Sequence, residues 1–245
     1  MIDVHAEIGT TPLWGVPFTD AHLARSMQKY GVERSIVSST IGNSCDLMLG
    51  NAQVAKVVAA NKSMLGCLVV NINYPEQSQQ DMHRYLADES FAGMLLSSGS
   101  KGRTVTLAEG EELLNAYRRF VKPVFLHVLD MEALLAANEM AKAFTGMKFV
   151  LLSMGGDEWR MASVLAERTL NLVLEVSGSF SPDKIKFAVE HIGSHRMVYG
   201  SGLPYVDPAA IIGLVADADI SDLDKRNIFE NSARRLFGWK KEERQ

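Results

Sequence analysis

The chain has 245 residues, 47% of them hydrophobic, with 25 Lys and Arg against 29 Asp and Glu for a net charge of −4. No basic run precedes Lys240-Lys241, which argues against nucleic acid, whose binding rests on clustered cations. No apolar run approaches the ~18 residues of a membrane span. No leader pattern follows Met1, and Cys45 and Cys67 show no CxxC spacing. A reduced cytoplasmic protein with no membrane partner is therefore expected.

Ile2-Asp3-Val4-His5-Ala6-Glu7-Ile8 opens the chain as a strand that alternates apolar and ionisable residues. A regular two-residue period places Asp3, His5 and Glu7 on one face. A first strand in so apolar a chain is expected to be central, with that face turned into an enclosed interior. A carboxylate buried there is costly unless a cation or good hydrogen bonds meet it. A loop with Pro12, Trp14 and Pro17 leads to a helix from Asp20, read as its N-cap, to Tyr30, with Gly31 at its end. The following strands are expected at 34–39, 65–70, 91–96, 124–127, 148–153, 172–176 and 196–200. Helices are expected at about 46–60, 75–88, 108–120, 131–144, 158–169, 182–192, 208–216 and 221–237. Pro75 and Pro182 suit first-turn positions, Ser221 and Asp224 form a capping box, and Gly238 is a stop.

Eight strands alternating with helical segments, with no linker or composition shift, predict an α/β fold: a single (β/α)8 TIM-type barrel over residues 1–245. The first βα turn lacks the GxGxxG of a doubly wound dinucleotide fold. In such barrels chemistry collects at the C-terminal strand ends. His5 and Glu7 on strand one face His127 on strand five, and two histidines with a carboxylate suffice for catalytic zinc or non-haem iron. The competing reading of the same residues is a buried His5–Glu7–His127 hydrogen-bonded network without metal. Glu175 late in strand seven is a candidate acid/base residue or an interior partner for Arg or backbone. Gly155-Gly156 before a helix, with Arg160 nearby, could seat an anion on backbone N–H groups, though a plain tight turn fits as well. Lys101 and Arg103, on a Gly/Ser-rich loop, could clamp an anionic ligand, and Trp14 could roof the pocket. His22, His83, His191 and His195 carry no expected chemistry.

Five stretches together resemble the metal-dependent amidohydrolase superfamily, in particular its aminocarboxymuconate semialdehyde decarboxylase-like, amidohydrolase-related branch. They are residues 2–7, Pro123-Val-Phe-Leu-His127, Leu152-Ser-Met-Gly-Gly156, Arg196-Met-Val-Tyr-Gly-Ser-Gly-Leu-Pro204 and Asn231-Ser-Ala-Arg-Arg-Leu-Phe-Gly238. The resemblance implies a small-molecule hydrolase or non-oxidative decarboxylase acting on a small, carboxylated or cyclic substrate. One divalent metal, zinc first, would be held by His5, Glu7 and His127, with His127, Glu7 and Glu175 as the groups left for catalysis. The departures are specific. The family's His-x-His is His5-x-Glu7 here, its strand-six histidine is Ser153, and the Asp of its Gly-Ser-Asp is Gly202. A positioned acid or base contributes ~10²–10⁴-fold, so the family's usual chemistry cannot run unmodified. The alternative is a metal-free, catalytically degenerate barrel that binds a small acid or serves as an oligomeric scaffold; metal-independent lactone hydrolysis is a third reading.

Overall fold

A computed structural model describes residues 1–11, 15–99 and 103–240. Its strands are β1 (Ile2–Thr10), β2 (Pro17–Phe18), β3 (Arg34–Ser39), β4 (Met64–Asn71), β5 (Phe91–Ser97), β6 (Val124–His127), β7 (Phe149–Leu152), β8 (Leu172–Glu175) and β9 (Met197–Val198). They form one curved sheet in the order β2-β1-β3-β4-β5-β6-β7-β8-β9. Every pairing is parallel except the two-residue β2, which runs antiparallel to the end of β1 and was not foreseen. The other edge of β1 meets the chain just after β9. Val4 N–H donates to Tyr199 O (2.9 Å), Gly202 N–H to His5 O (3.0 Å) and Glu7 N–H to Leu203 O (2.8 Å).

Helices between the strands cover the outside, and their caps explain their starts. Thr19, not Asp20, caps Asp20–Tyr30, because its hydroxyl accepts the His22 N–H. Asp46 and Asp130 cap Leu47–Ala60 and Met131–Ala143 in the same way. The expected helix at 221–237 begins with the Ser221–Asp224 capping box but is interrupted by a π-helical turn at Asn227–Asn231 before Ser232–Phe237. Among the described residues no helix is long and apolar enough to cross a membrane.

Two apolar clusters record which way each side chain points. The inner one contains Ile2, Val4, Ile36, Cys67, Val69, Leu95, Phe125, Val150, Leu152, Val173 and Val198, with Phe237 and Trp239 packed against it. The outer one joins sheet to helices and contains Ala6, Ile8, Val37, Leu68, Leu126, Leu151, Leu174 and Met197. Burial on both faces explains why these strands read as continuous apolar runs.

The single polar face expected for β1 needs correction. The strand slips register between Asp3 and Ala6, so Ile2 and Val4 point inward while Ala6 and Ile8 point outward. His5 and Glu7 then face the interior. Asp3 turns the other way, where it accepts hydrogen bonds from Ser201 N–H (2.8 Å), His5 N–H (3.1 Å) and the Ser35 hydroxyl (3.3 Å). Burial pushes the Asp3 carboxyl up to about 6 against the pull of these donors. A β-bulge accounts for the slip, since one extra residue reverses the alternation beyond it.

Candidate active site

Following the inward alternation to the ends of the strands leads to a polar ring: Glu7, Ser38, Asn71, Ser97, His127 and Glu175. Hydrocarbon fills the levels beneath it, where Cys67 lies buried; burial and then the charge of Glu7 hold its thiol well above the usual range.

Glu7 is the centre of the ring. Its Oε1 lies 4.0 Å from His5 Nε2 and 4.0 Å from His127 Nε2, and all three side chains are nearly or fully buried. The two imidazoles meet edge-on with centroids 5.9 Å apart. The other carboxylate oxygen, Oε2, is 3.4 Å from the hydroxyl of Tyr205.

Glu175 stands behind His5. Its Oε2 accepts from His5 Nδ1 (3.0 Å), Ser153 N–H (3.0 Å) and the Ser177 hydroxyl (2.7 Å), and its Oε1 accepts from Ser177 N–H (2.6 Å). A carboxylate bound this way accepts only, so the proton of a neutral His5 sits on Nδ1 and its Nε2 lone pair faces Glu7 and His127. With its lone-pair directions occupied, Glu175 orients His5. Gly200 makes room for this contact: a Cβ there would lie 2.3 Å from Glu175 Oε1 and 2.8 Å from His5 Cβ.

The turn after β7 is built for the same contact. Ser153, Met154, Gly155 and Gly156 all have positive φ (58°, 55°, 83° and 61°), a conformation costly for the two that carry side chains. It turns the Ser153 N–H back onto Glu175. A Cβ on Gly155 would meet Ala162 at 2.7 Å, and one on Gly156 would meet the backbone of Val128 and Leu129 at 3.0 Å. These glycines therefore permit close packing of the turn against its neighbours.

Arg103 lines a small cavity together with Ser97, Ser98 and His127, and its guanidinium is paired with Glu109. Arg160 instead lies over the rings of Trp159 (4.9 Å) and Phe187 (6.0 Å), where helices Trp159–Arg168 and Pro182–Ile192 meet. Trp14 and Lys101 lie outside the described residues. The remaining histidines sit apart from the ring: exposed His22 in a helix cap, exposed His83 against Arg119, His191 against Glu167, and His195 before β9.

The amidohydrolase family model matches residues 43–239. The chain belongs to the amidohydrolase family. The match begins after β1, so it covers His127, Glu175 and Tyr205 but leaves His5 and Glu7 outside it. Solved structures that resemble the chain over nearly its whole length include 2,6-dihydroxybenzoate decarboxylase from Rhizobium. It is 16% identical with a TM-score of 0.80, covering 97% of this chain and 98% of that one. A dihydroxybenzoic acid decarboxylase from Polaromonas sp. JS666, with bound manganese and the inhibitor 2-nitroresorcinol, is 16% identical (TM-score 0.76; 97% and 96% covered). A 4-oxalomesaconate hydratase from Rhodopseudomonas palustris is 14% identical (TM-score 0.72; 98% and 96% covered). At these identities the likeness establishes a shared fold.

The donor set suits a divalent metal in kind. Two imidazole nitrogens and a carboxylate oxygen converge, and the ring N–H of His5 is held by a second carboxylate, as metal-ligating histidines usually are. The spacing is wider than a bound ion requires. Ligand atoms ~2.0–2.1 Å from a tetrahedral zinc lie about 3.4 Å from one another, against 4.0 Å here. Among the described residues no group of three His, Cys, Asp or Glu is already drawn close enough to hold an ion. Both separations would have to shorten for Glu7 and the two imidazoles to share an ion.

Sequence reasoning named His5, Glu7, His127 and Glu175, which the structure brings together. It missed Gly200, Ser177 and Tyr205. Gly200 lies two residues beyond β9, at the end of the strand that the sequence predicts at 196–200, and that was the available signal. Nothing local marks Tyr205, which reaches Glu7 across 198 positions of sequence.

Proposed function

We propose that the curved sheet, with the bonds between β1 and the segment after β9, is a (β/α)8 barrel formed by the whole chain as one domain. Its C-terminal mouth is then the site of a non-oxidative decarboxylase or hydrolase acting on a small anionic, cyclic acid. His5, Glu7 and His127 hold one divalent cation there. The observation that carries this reading is the convergence of both Nε2 atoms on Glu7 Oε1, 4.0 Å from each. The dihydroxybenzoate decarboxylases of the same fold supply the substrate class, and the manganese of one of them makes that ion, beside zinc, the first to test.

A cation at this position would polarise an oxygen of the substrate or of water. The chain's own residues do the rest. Glu175 fixes the ring of His5 and keeps its Nε2 lone pair turned to the mouth. Arg103, its guanidinium paired with Glu109, lines a small cavity with Ser97, Ser98 and His127, so an anionic substrate there would have to draw Arg103 away from Glu109. Apolar walls below the ring keep water from the floor of the pocket. Ser153 and Gly202 offer neither imidazole nor carboxylate at the positions where the family resemblance expects them.

The experiment is calorimetric titration of the chelator-treated full chain with Mn²⁺ and Zn²⁺, alongside CO2 release from a panel of hydroxybenzoates. Stoichiometric binding that Glu7→Gln abolishes, with metal-dependent turnover, supports the proposal. A second reading, a metal-free barrel that binds a small acid, is favoured by the wide spacing of the three donors. Hydroxybenzoate binding indifferent to Mn²⁺, without turnover, would establish that reading in place of the first.

A further inference from the structure

The turn that follows β9 carries no acid, yet it delivers a hydroxyl to the centre of the site. Tyr205 N–H and Val206 N–H both donate to Gly202 O (2.9 and 3.2 Å), closing residues 202–206 into a tight turn. Gly202 itself has a φ of +67°, and a Cβ there would lie 3.1 Å from that of Ser177. The backbone thus leaves little room for a side chain at 202 and sends the half-buried ring of Tyr205 inward.

The phenol reaches Oε2 of Glu7 while Oε1 of the same group lies between His5 and His127. A carboxylate is planar and rigid, so a donor that fixes one oxygen fixes the direction of the other. A tyrosine phenol, with an ordinary pKa of about 10, is protonated and able to donate at neutral pH.

We propose that Tyr205 is a positioning residue whose O–H holds Glu7 Oε2 so that Oε1 stays aimed at a divalent cation between His5 and His127. The inference rests on the metal-binding reading above. Partners that orient a ligating group commonly change metal affinity by ~10–100-fold when removed, so a loss at the lower end of that range is expected here, where the contact is long.

The test compares Mn²⁺ binding by the wild-type chain, Tyr205→Phe and Glu7→Gln, using calorimetry and the Mn²⁺ electron paramagnetic resonance spectrum. Unfolding of each metal-free protein is measured in parallel. Tyr205→Phe is expected to weaken Mn²⁺ binding by about tenfold and to alter the spectrum while the metal-free protein unfolds near the wild-type midpoint. Incorporating p-aminophenylalanine at 205, which returns an N–H donor to the same place, should recover most of the affinity even if the Phe variant folds poorly. Wild-type affinity and spectrum in Tyr205→Phe would overturn the inference and leave the metal site standing. A wild-type chain that binds no Mn²⁺ would overturn both.

Discussion

Gly200→Ala tests whether the contact between Glu175 and His5 organises the mouth. The added methyl would lie 2.3 Å from Glu175 Oε1, 2.6 Å from Cδ and 2.8 Å from His5 Cβ. An ordinary contact needs the carboxylate to retreat by about 1 Å. It is held at one oxygen by Ser177 N–H and at the other by His5, Ser153 and the Ser177 hydroxyl, so any retreat breaks a hydrogen bond. Overpacking costs ~1–3 kcal/mol and losing one bond to a charged acceptor ~1.5–3 kcal/mol. Together the variant should lose about 2.5–6 kcal/mol, a large share of a typical domain's stability of ~5–15 kcal/mol. Equilibrium urea unfolding measures the loss, and long-range ¹H–¹⁵N spectra of the imidazoles report whether His5 still carries its proton on Nδ1. Gly213→Ala is the control: it lies in helix Pro208–Asp217 with nothing within 4 Å of a new Cβ and should gain ~0.5–1 kcal/mol from helix propensity. Wild-type stability in Gly200→Ala, or an unchanged His5 signal, would refute the reasoning.

Away from the mouth, Asp81 is buried and accepts from Asn51 Nδ2 at 2.8 Å; burial raises its carboxyl, opposed in part by that bond and by Arg84. For an acid raised on folding, the unfolded chain releases its proton first, so the contribution to stability is full at low pH and lost as pH rises through the folded value. The advantage of Asp81→Asn over wild type should therefore grow between pH 4 and pH 7 in urea unfolding; a constant difference would contradict it. Gly202→Asp, which writes the family's acid back into the chain, places a side chain at a φ of +67° against Ser177. It should cost ~1–2 kcal/mol, read as a lower unfolding midpoint, and an unchanged midpoint would show that the turn relaxes freely.

What the sequence determined by itself was the alternation of strands and helices and the ionisable residues at the strand ends. Those follow from local physics: apolar runs, capping side chains such as Asp46 and Ser221, and stops such as Gly31 and Gly238. The position of His127 and Glu175 at the ends of their strands was readable for the same reason, whereas β1 runs on past His5 and Glu7 to Thr10. The facing of β1 was not, because a two-residue period cannot reveal the slip after Asp3 that separates it from His5 and Glu7. Only the tertiary structure decided that Glu175 is saturated by Ser153, Ser177 and His5, that Gly200 is the gap admitting it, and that Tyr205 reaches Glu7. Each of those depends on residues far apart in sequence meeting within a few ångströms, and local sequence pattern carries no record of such meetings.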